Sequence, residues 1–383
     1  MNYIKLKNVS YFVRNGASIK QSKQCTKGIP ITRIETVSNS VFNWDKLGFA
    51  DILDDKYKEY YLQDKDVLLS HINSARFVGR SVLFEKRDDK PIIHGMNLLC
   101  IRFIGEKYNP SFFVWFSKSK LAKNYFEENT KKAVNQASIT STAIKDMPIP
   151  DLSIKEQNTI VSTLDKIQKA ILIKEQQLIF LDDLVKSEFV EMFGNPIDND
   201  KSFPKKRMTD VCPIQEAKLQ IVSDSVCLLN LDMIEQDTGT ILDKQIVSMD
   251  EVGNSTIQFS SDHVLYSKLR PYLNKVALPD EAGYASSELV PFLPKREINK
   301  IYFAYLLRSD SFVELINSKS GGAKMPRASM DFIRKFEIPV PPLDLQNQFA
   351  AFVQQIDKSK FVVKQQIADL QELLDSKMQE YFG

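Results

Sequence analysis

The sequence predicts an α+β protein: two tandem mixed α/β globular domains separated by two long antiparallel helices that form a coiled coil, the halves related by a pseudo-two-fold. Two observations predict it. First, a proline-bounded entry to a long apolar-periodic segment occurs twice. Met147-Pro-Ile-Pro-Asp-Leu-Ser-Ile-Lys-Glu-Gln157 opens a segment ending Glu191-Met-Phe-Gly194, and Ile338-Pro-Val-Pro-Pro-Leu-Asp-Leu-Gln-Asn-Gln348 opens one ending Glu380-Tyr-Phe-Gly383. Second, the chain around these segments repeats. Ala137-Ser-Ile139 matches Ala328-Ser-Met330 at the same offset from the proline entry, and Asp66-Val-Leu-Leu-Ser70 matches His263-Val-Leu-Tyr-Ser267. Ile29-Pro-Ile-Thr-Arg-Ile34 matches Val226-Cys-Leu-Leu-Asn-Leu231, and Leu6-Lys-Asn-Val9 matches Met208-Thr-Asp-Val211. Self-similarity on this scale is tandem duplication. It divides the chain at 1–152, 153–194, 195–343 and 344–383 into domain, helix, domain and helix.

In the first domain, β-rich runs at Ile29 to Val37, Val67 to Ile72, Ser81 to Phe84 and Asn97 to Phe103 predict a mixed sheet. The stretch from Asn109 to Lys123 begins with Asn-Pro and reads as a proline-started helix with a basic end. Its aromatics Phe112, Phe113, Trp115 and Phe116 fit a core better than a base-stacking platform, and Lys118 and Lys120 fall beyond that core. Between Ser70 and Arg80 the chain is polar and basic, and its counterpart is Ser267-Lys-Leu-Arg-Pro-Tyr-Leu-Asn-Lys275. Hydroxyl, amide and guanidinium groups on a strand-edge loop suit phosphate and base-edge contacts; a plain surface loop would read the same way.

The prolines hold the backbone extended before each long helix, and Ser153 and Asp344 are placed as N-caps. In the first helix Ile160, Leu164, Ile167, Ile171, Lys174, Leu178, Leu181, Val185, Glu188 and Met192 alternate steps of four and three, a heptad seam. In the second, Phe349, Phe352, Ile356, Val363, Ile367, Leu370, Leu374 and Tyr381 keep that spacing only with a register shift near Ser359. Roughly 39 helical residues make a rod on the order of 60 Å long, which must bury its stripe, and its own copy is the natural partner. The polar connector from Asn195 to Arg207 is short, so an antiparallel return would leave the two domains at opposite ends of the rod.

At 383 residues and 43% hydrophobic content, the chain can bury more than one core. Cys25, Cys100, Cys212 and Cys227 form no CxxC pair, and the polar start Met1-Asn-Tyr-Ile-Lys-Leu-Lys is no signal peptide. The expected location is cytoplasmic. A net charge of +2 argues against a simple polycation, yet charge is unevenly placed. Lys118, Lys120, Lys123, Lys131 and Lys132 face only Glu127 and Glu128, and Lys319, Lys324, Arg327, Arg334 and Lys335 face only Glu314 and Asp331. His71, His94 and His263 lack metal-ligand spacing, so no metal is expected, and His94 beside Gly95 reads as structural. GxGxxG, P-loop, GxSxG and HExxH patterns are missing. Asn109-Pro110 and Asn195-Pro196 lack the second proline and aromatic residue used by amino-methyltransferases. No nucleophile, oriented base or cofactor cradle is legible, so the expected role is binding and positioning, with no catalytic residue.

The chain resembles, over essentially its whole length, the specificity (S) subunit of type I restriction-modification enzymes. The resemblance is carried by the two proline entries with Gln157 and Gln348, the duplicated layout, the segment from Val264 to Ala277, and the connector Met192-Phe-Gly-Asn-Pro196. The first copy departs from that pattern, with Ser70-His-Ile-Asn-Ser-Ala-Arg76 where the second has Ser267-Lys-Leu-Arg-Pro-Tyr272. The resemblance implies that each domain is a target recognition domain reading one half of a bipartite, asymmetric double-stranded DNA site. The coiled coil would set the unread gap and dock two methylation subunits, which bring S-adenosylmethionine and methylate adenine. Restriction subunits, using ATP and Mg, would join that core; this chain would carry no cofactor.

Expected DNA contacts are Arg33, Asn73, Arg76, Arg80, Lys118, Lys120, Lys132 and Gln136 in the first domain. In the second they are Asn230, Lys268, Arg270, Tyr272, Asn274, Lys324 and Arg327. Lysines suit phosphates, and Arg, Asn and Gln suit base edges. Two other readings stay open: a coiled-coil adaptor that never touches DNA, and a self-contained nuclease or methyltransferase with an active site not legible in the sequence.

Overall fold

The computed structural model describes residues 2–19, 28–52, 55–133, 136–218, 225–322 and 324–383; Cys25 lies outside them. Contacts divide the chain into two compact units, Met1–Ile173 with Ile367–Gly383, and Lys174–Gln366. Unit 1 holds α1 (Pro110–Phe116), α2 (Lys120–Asn129), α3 (Ser141–Asp146) and the first half of α4 (Ile154–Phe193). Unit 2 holds the rest of α4, then α5 (Met208–Val211), α6 (Lys300–Arg308), α7 (Asp310–Ser318), α8 (Met330–Lys335) and the first part of α9 (Leu343–Phe382). The last part of α9 belongs to unit 1.

In each unit one fully buried strand separates two cores, because alternate side chains leave a strand on opposite faces. In unit 1, Val67–Ser70 sends Val67 and Leu69 against Phe112 and Phe116 of α1, and Leu68 against Val37, Phe42 and Phe84. In unit 2, Val264–Ser267 sends Val264 and Tyr266 toward the helices and Leu265 toward Leu229 and Phe259. The unit 1 sheet, expected to be mixed, is antiparallel in all three pairings and runs in the order Ser10–Asn15, Leu98–Phe103, Val67–Ser70, Ser81–Leu83. The four-stranded sheet of unit 2 is mixed, since Ser225–Leu229 pairs parallel with Gly283–Ser286.

Two expected elements differ. The strand from Ile29 ends at Ile31, and Ile34–Ser40 is a 3-10 helix. There Thr36 Oγ1 accepts from the Arg33 N–H at 2.8 Å, a local bond that curls the chain. The single helix expected from Asn109 is two, because Ser119 caps a new one through its bond from the Ala122 N–H. Phe112, Phe113, Trp115 and Phe116 are buried, as their spacing predicts.

The two long helices are 40 residues each, and their first residues, 154 and 343, lie 189 apart (343 − 154). This spacing slides the proline and Ala-Ser matches by two residues. Tyr3–Lys5 pairs with Pro148–Pro150, and Lys205–Arg207 pairs with Glu337–Pro339, so Ile149 corresponds to Ile338. The counterpart of Gln157 is therefore Gln346 rather than Gln348, and that of Ile139 is Ala328. Pro341 and Pro342 mislead the eye because they occupy the places of Leu152 and Ser153. Ser153 caps α4 in a reciprocal box with Glu156: its Oγ accepts from the Glu156 N–H, and its own N–H reaches Oε2 at 2.9 Å. Asp344 does not cap α9, which already begins at Leu343. The Leu345 and Gln346 N–H groups bond back to the Pro342 carbonyl, and Asp344 places its charge in the first turn, at the positive helix end.

The apolar seam follows the heptad at Ile160, Leu164, Ile167 and Ile171, but later Phe189 and Phe193 are buried instead of Glu188 and Met192. An α-helix drifts against a seven-residue repeat, and aromatic residues take up the drift. In unit 2 the helix segments run in opposite directions: Phe349 packs on Phe189 and Phe193, while Lys360 farther along pairs with Asp182 at 2.6 Å. Phe382, the counterpart of Phe193, packs in unit 1 on Phe112 and Phe116.

His71 and His94 are buried in unit 1. Burial depresses them from 6.5 to about 4 and about 3. Below pH 6.5 the unfolded chain takes up protons that the folded chain refuses, so stability is present above that pH and is lost as pH falls toward 4 and 3. Denaturant unfolding should show unit 1 weaker at pH 5 than at pH 7 by about 4 kcal/mol, about 2 for each histidine. Equal midpoints at the two pH values would remove these histidines from the account.

Candidate nucleic-acid interface

In unit 1 the strand Val67–Ser70 continues into a tight return. Gly79 donates its N–H to the Ser70 carbonyl, and Arg80 accepts from the Ser70 N–H. Gly79 has φ +87°, and a Cβ there would strike the Phe126 ring at 2.2 Å, so only glycine lets the return lie against α2. The contact forms one wall of a cleft of about 620 Å³ lined by Arg76, Gly79, Arg80, Ser117, Lys118, Lys123, Phe126 and Lys132.

Five cations line that cleft against one carboxylate, Glu127, which pairs with Lys132 at 3.6 Å. The guanidinium carbons of Arg76 and Arg80 lie 4.4 and 4.2 Å from the Phe77 ring centre. The ring orders both arginines without consuming their hydrogen-bond donors. Lys118 Nζ lies 4.0 Å from the Trp115 ring, and burial pushes its pKa down, opposed by Asp165. Such a surface holds a polyanion and offers donors to base edges.

Of the residues expected to touch DNA, the structure brings Arg76, Arg80, Lys118 and Lys132 together in this cleft. Lys120 is exposed at the start of α2, beside a smaller groove that it shares with Lys118 and Lys123. Gln136 is exposed on a strand that pairs with Lys131–Ala133 and with Ile72–Asn73, so Asn73, Lys132 and Gln136 share one ribbon. Asn73 spends its amide locally, donating to Ser70 Oγ and accepting from the Ser74 N–H. Arg33 packs across Gly48 and is not part of the cleft lining. Lys123 and Phe77 were missed as candidates. Lys123 could have been found from its helical spacing to Lys120, but the role of Phe77 depends on two side chains folding back over it.

In unit 2, Ala328 donates its N–H to the Lys268 carbonyl, and Arg270 donates its own to Pro326. These bonds gather Lys268, Arg270 and Arg327, with Lys324 exposed in the same loop. Arg270 and Asn274 both have left-handed backbone, φ 50° and 49°, flanking the turn Pro271–Leu273. That turn presents Tyr272 to solvent. Most polar heads here are already engaged: Lys268 Nζ donates to the Ser287 carbonyl at 2.7 Å, and Arg327 pairs with Glu288 at 2.9 Å. Asn274 is buried and donates to the Arg308 carbonyl, so its side chain supports the turn from inside. Asn230 stands apart, heading the turn Leu231–Met233.

Among the described residues, no helix is long and apolar enough to cross a membrane, and no cluster of three or more His, Cys, Asp or Glu could hold a metal ion.

Comparison with known proteins gives this arrangement a family. The model of the type I restriction modification DNA specificity domain matches residues 1–181 and 203–372. The putative type I restriction enzyme MjaX specificity subunit of Methanocaldococcus jannaschii is 34% identical over 207 residues, 54% of this chain and 48% of the relative. The EcoDI specificity subunit of Escherichia coli is 25% identical over 134 residues, 35% of this chain and 30% of the relative. The chain thus spans about half the length, or less, of these curated relatives. A solved structure concerned with complex assembly and conformational transition of the type I R-M system has a similar fold, with TM-score 0.61 at 15% identity, covering 100% of this chain and 97% of that one. The S subunit from M. genitalium has TM-score 0.56 at 13% identity, covering 100% and 96%. With both copies of the repeat matched by one family model, this chain belongs to the type I restriction-modification DNA specificity domain family.

Proposed function

We propose that this chain is the DNA-reading, non-catalytic specificity subunit of a type I restriction-modification complex. Each unit reads one half of a bipartite, asymmetric site on double-stranded DNA, and α4 with α9 sets the unread gap. Two methylation subunits dock on the long helices, bring S-adenosylmethionine and methylate adenine; restriction subunits with ATP and Mg complete the assembly. The observation that carries the reading is the unit 1 cleft, where five cations and a guanidinium-covered aromatic ring meet one carboxylate. Docking on the helices is supported by large apolar side chains exposed there, including Ile179, Phe180, Leu184 and Phe361.

The test is single-molecule methylome sequencing of a host with and without this gene. Loss of methyladenine at one two-part motif is expected. An unchanged methylome together with salt-independent behaviour toward DNA would favour a coiled-coil adaptor instead. Inserting one heptad into α4 should lengthen the gap and leave both half-sites as they were, because a rigid spacer fixes separation and not sequence. Altered half-sites at an unchanged gap would sink that assignment.

A further inference from the structure

Gln157 and Gln346 are buried polar side chains at equivalent places in the repeat. Gln157 Oε1 accepts from the Asn109 N–H at 2.8 Å, and its Nε2 donates to the Leu152 carbonyl at 2.8 Å. Gln346 Oε1 accepts from the Asn299 N–H at 2.8 Å, and its Nε2 donates to the carbonyls of Pro341 at 2.8 Å and Glu297 at 3.1 Å. Each asparagine is used again. Asn109 Oδ1 caps α1, and its Nδ2 donates to Asn158 Oδ1 at 2.7 Å. Asn299 Oδ1 caps α6, and its Nδ2 donates to Asn347 Oδ1 at 2.9 Å.

In both units one helix leads from this junction to the candidate DNA contacts. In unit 1, α1 runs from its cap Asn109 through Pro110–Phe116, and the next two residues, Ser117 and Lys118, line the cleft. In unit 2, α6 ends at Arg308. Its guanidinium donates to the Val276 carbonyl at 2.6 Å and its carbonyl accepts from Asn274, which fastens the segment carrying Lys268, Arg270 and Tyr272. Apolar packing of α1 and α6 on the long helices resists separation but is non-directional. The glutamine bonds have fixed distances and angles, and a slide would leave buried polar groups unpaired.

We propose that Gln157 and Gln346, acting through Asn109 and Asn299, are positioning residues that fix the DNA-reading surface of each unit on its long helix and thereby enforce the length of the unread gap. The proposal rests on the specificity-subunit reading. Gln346→Met keeps the side-chain length and removes both polar ends. Asn347→Ala removes only the exposed tie to Asn299 and leaves the buried glutamine in place.

Each variant would be produced as full chain with its methylation subunits, and methylomes compared with that of the unaltered complex. For Gln346→Met, methylation at sites one base pair off the normal gap should rise about tenfold relative to the correct gap, with a smaller rise for Asn347→Ala. The half-site read by unit 1 should not change. Uniformly weaker methylation at an unaltered gap, in both variants, would overturn the proposal and leave the glutamines a stabilising role alone. If Gln346→Met fails to fold, an unaltered gap in Asn347→Ala overturns it. A complex of the unaltered chain that methylates no two-part motif would sink the specificity-subunit reading itself, before any variant is compared.

Discussion

Replacing both Arg76 and Arg80 by alanine should weaken cognate DNA binding by the assembled complex by about 2–6 kcal/mol, at ~1–3 kcal/mol for each arginine that contacts a base. Both guanidiniums lie over Phe77 in a cleft with one carboxylate, so neither is committed to an internal salt bridge among the described residues. Loss should fall on one half-site only. Lys123→Ala in the same cleft should instead weaken cognate and random duplexes alike, and lower the salt slope by about 1. Fluorescence anisotropy at several salt concentrations, with duplexes scrambled in either half, separates the two effects. Equal loss from the double arginine variant on every duplex would reassign Arg76 and Arg80 to the phosphate backbone.

Phe349→Ala should destabilise unit 2 by about 3–5 kcal/mol. Phe349 is fully buried, with ring centres 5.5 Å from Phe189, 5.4 Å from Phe193 and 5.3 Å from Tyr305. It therefore joins α4, α6 and α9 within one unit, and truncating it removes the ring that all three aromatic neighbours pack against. Denaturant unfolding should show an earlier transition for unit 2. A shift below about 1 kcal/mol would mean that the aromatic cluster collapses around the cavity.

The long helices were legible because their signals are local and redundant: prolines before, a capping Ser153, forty residues without interruption, and glycine at the end. The buried strands Val67–Ser70 and Val264–Ser267 were legible for a similar reason, as short apolar runs before a polar return. The repeat was legible too, but its register was not. Matching proline to proline shifted it by two residues, and only the pairing of Ile149 and Ile338 with their strands restored it.

The candidate contacts divide along the same line. Residue type and charge singled out Arg76, Arg80, Lys118 and Lys132, which do meet in one cleft. The same reasoning chose Asn274, whose amide is spent inside the fold, and passed over Lys123 and Phe77. Composition and periodicity determined the tandem domains, the helices and the basic character near each helix start, because those properties are carried by residues adjacent in the chain. Which cations stay free, which amides turn inward, and that Gln157 and Gln346 hold Asn109 and Asn299 were decided by tertiary structure alone. Hydrogen bonds between groups 47 and 48 residues apart depend on directions in space that no local pattern encodes.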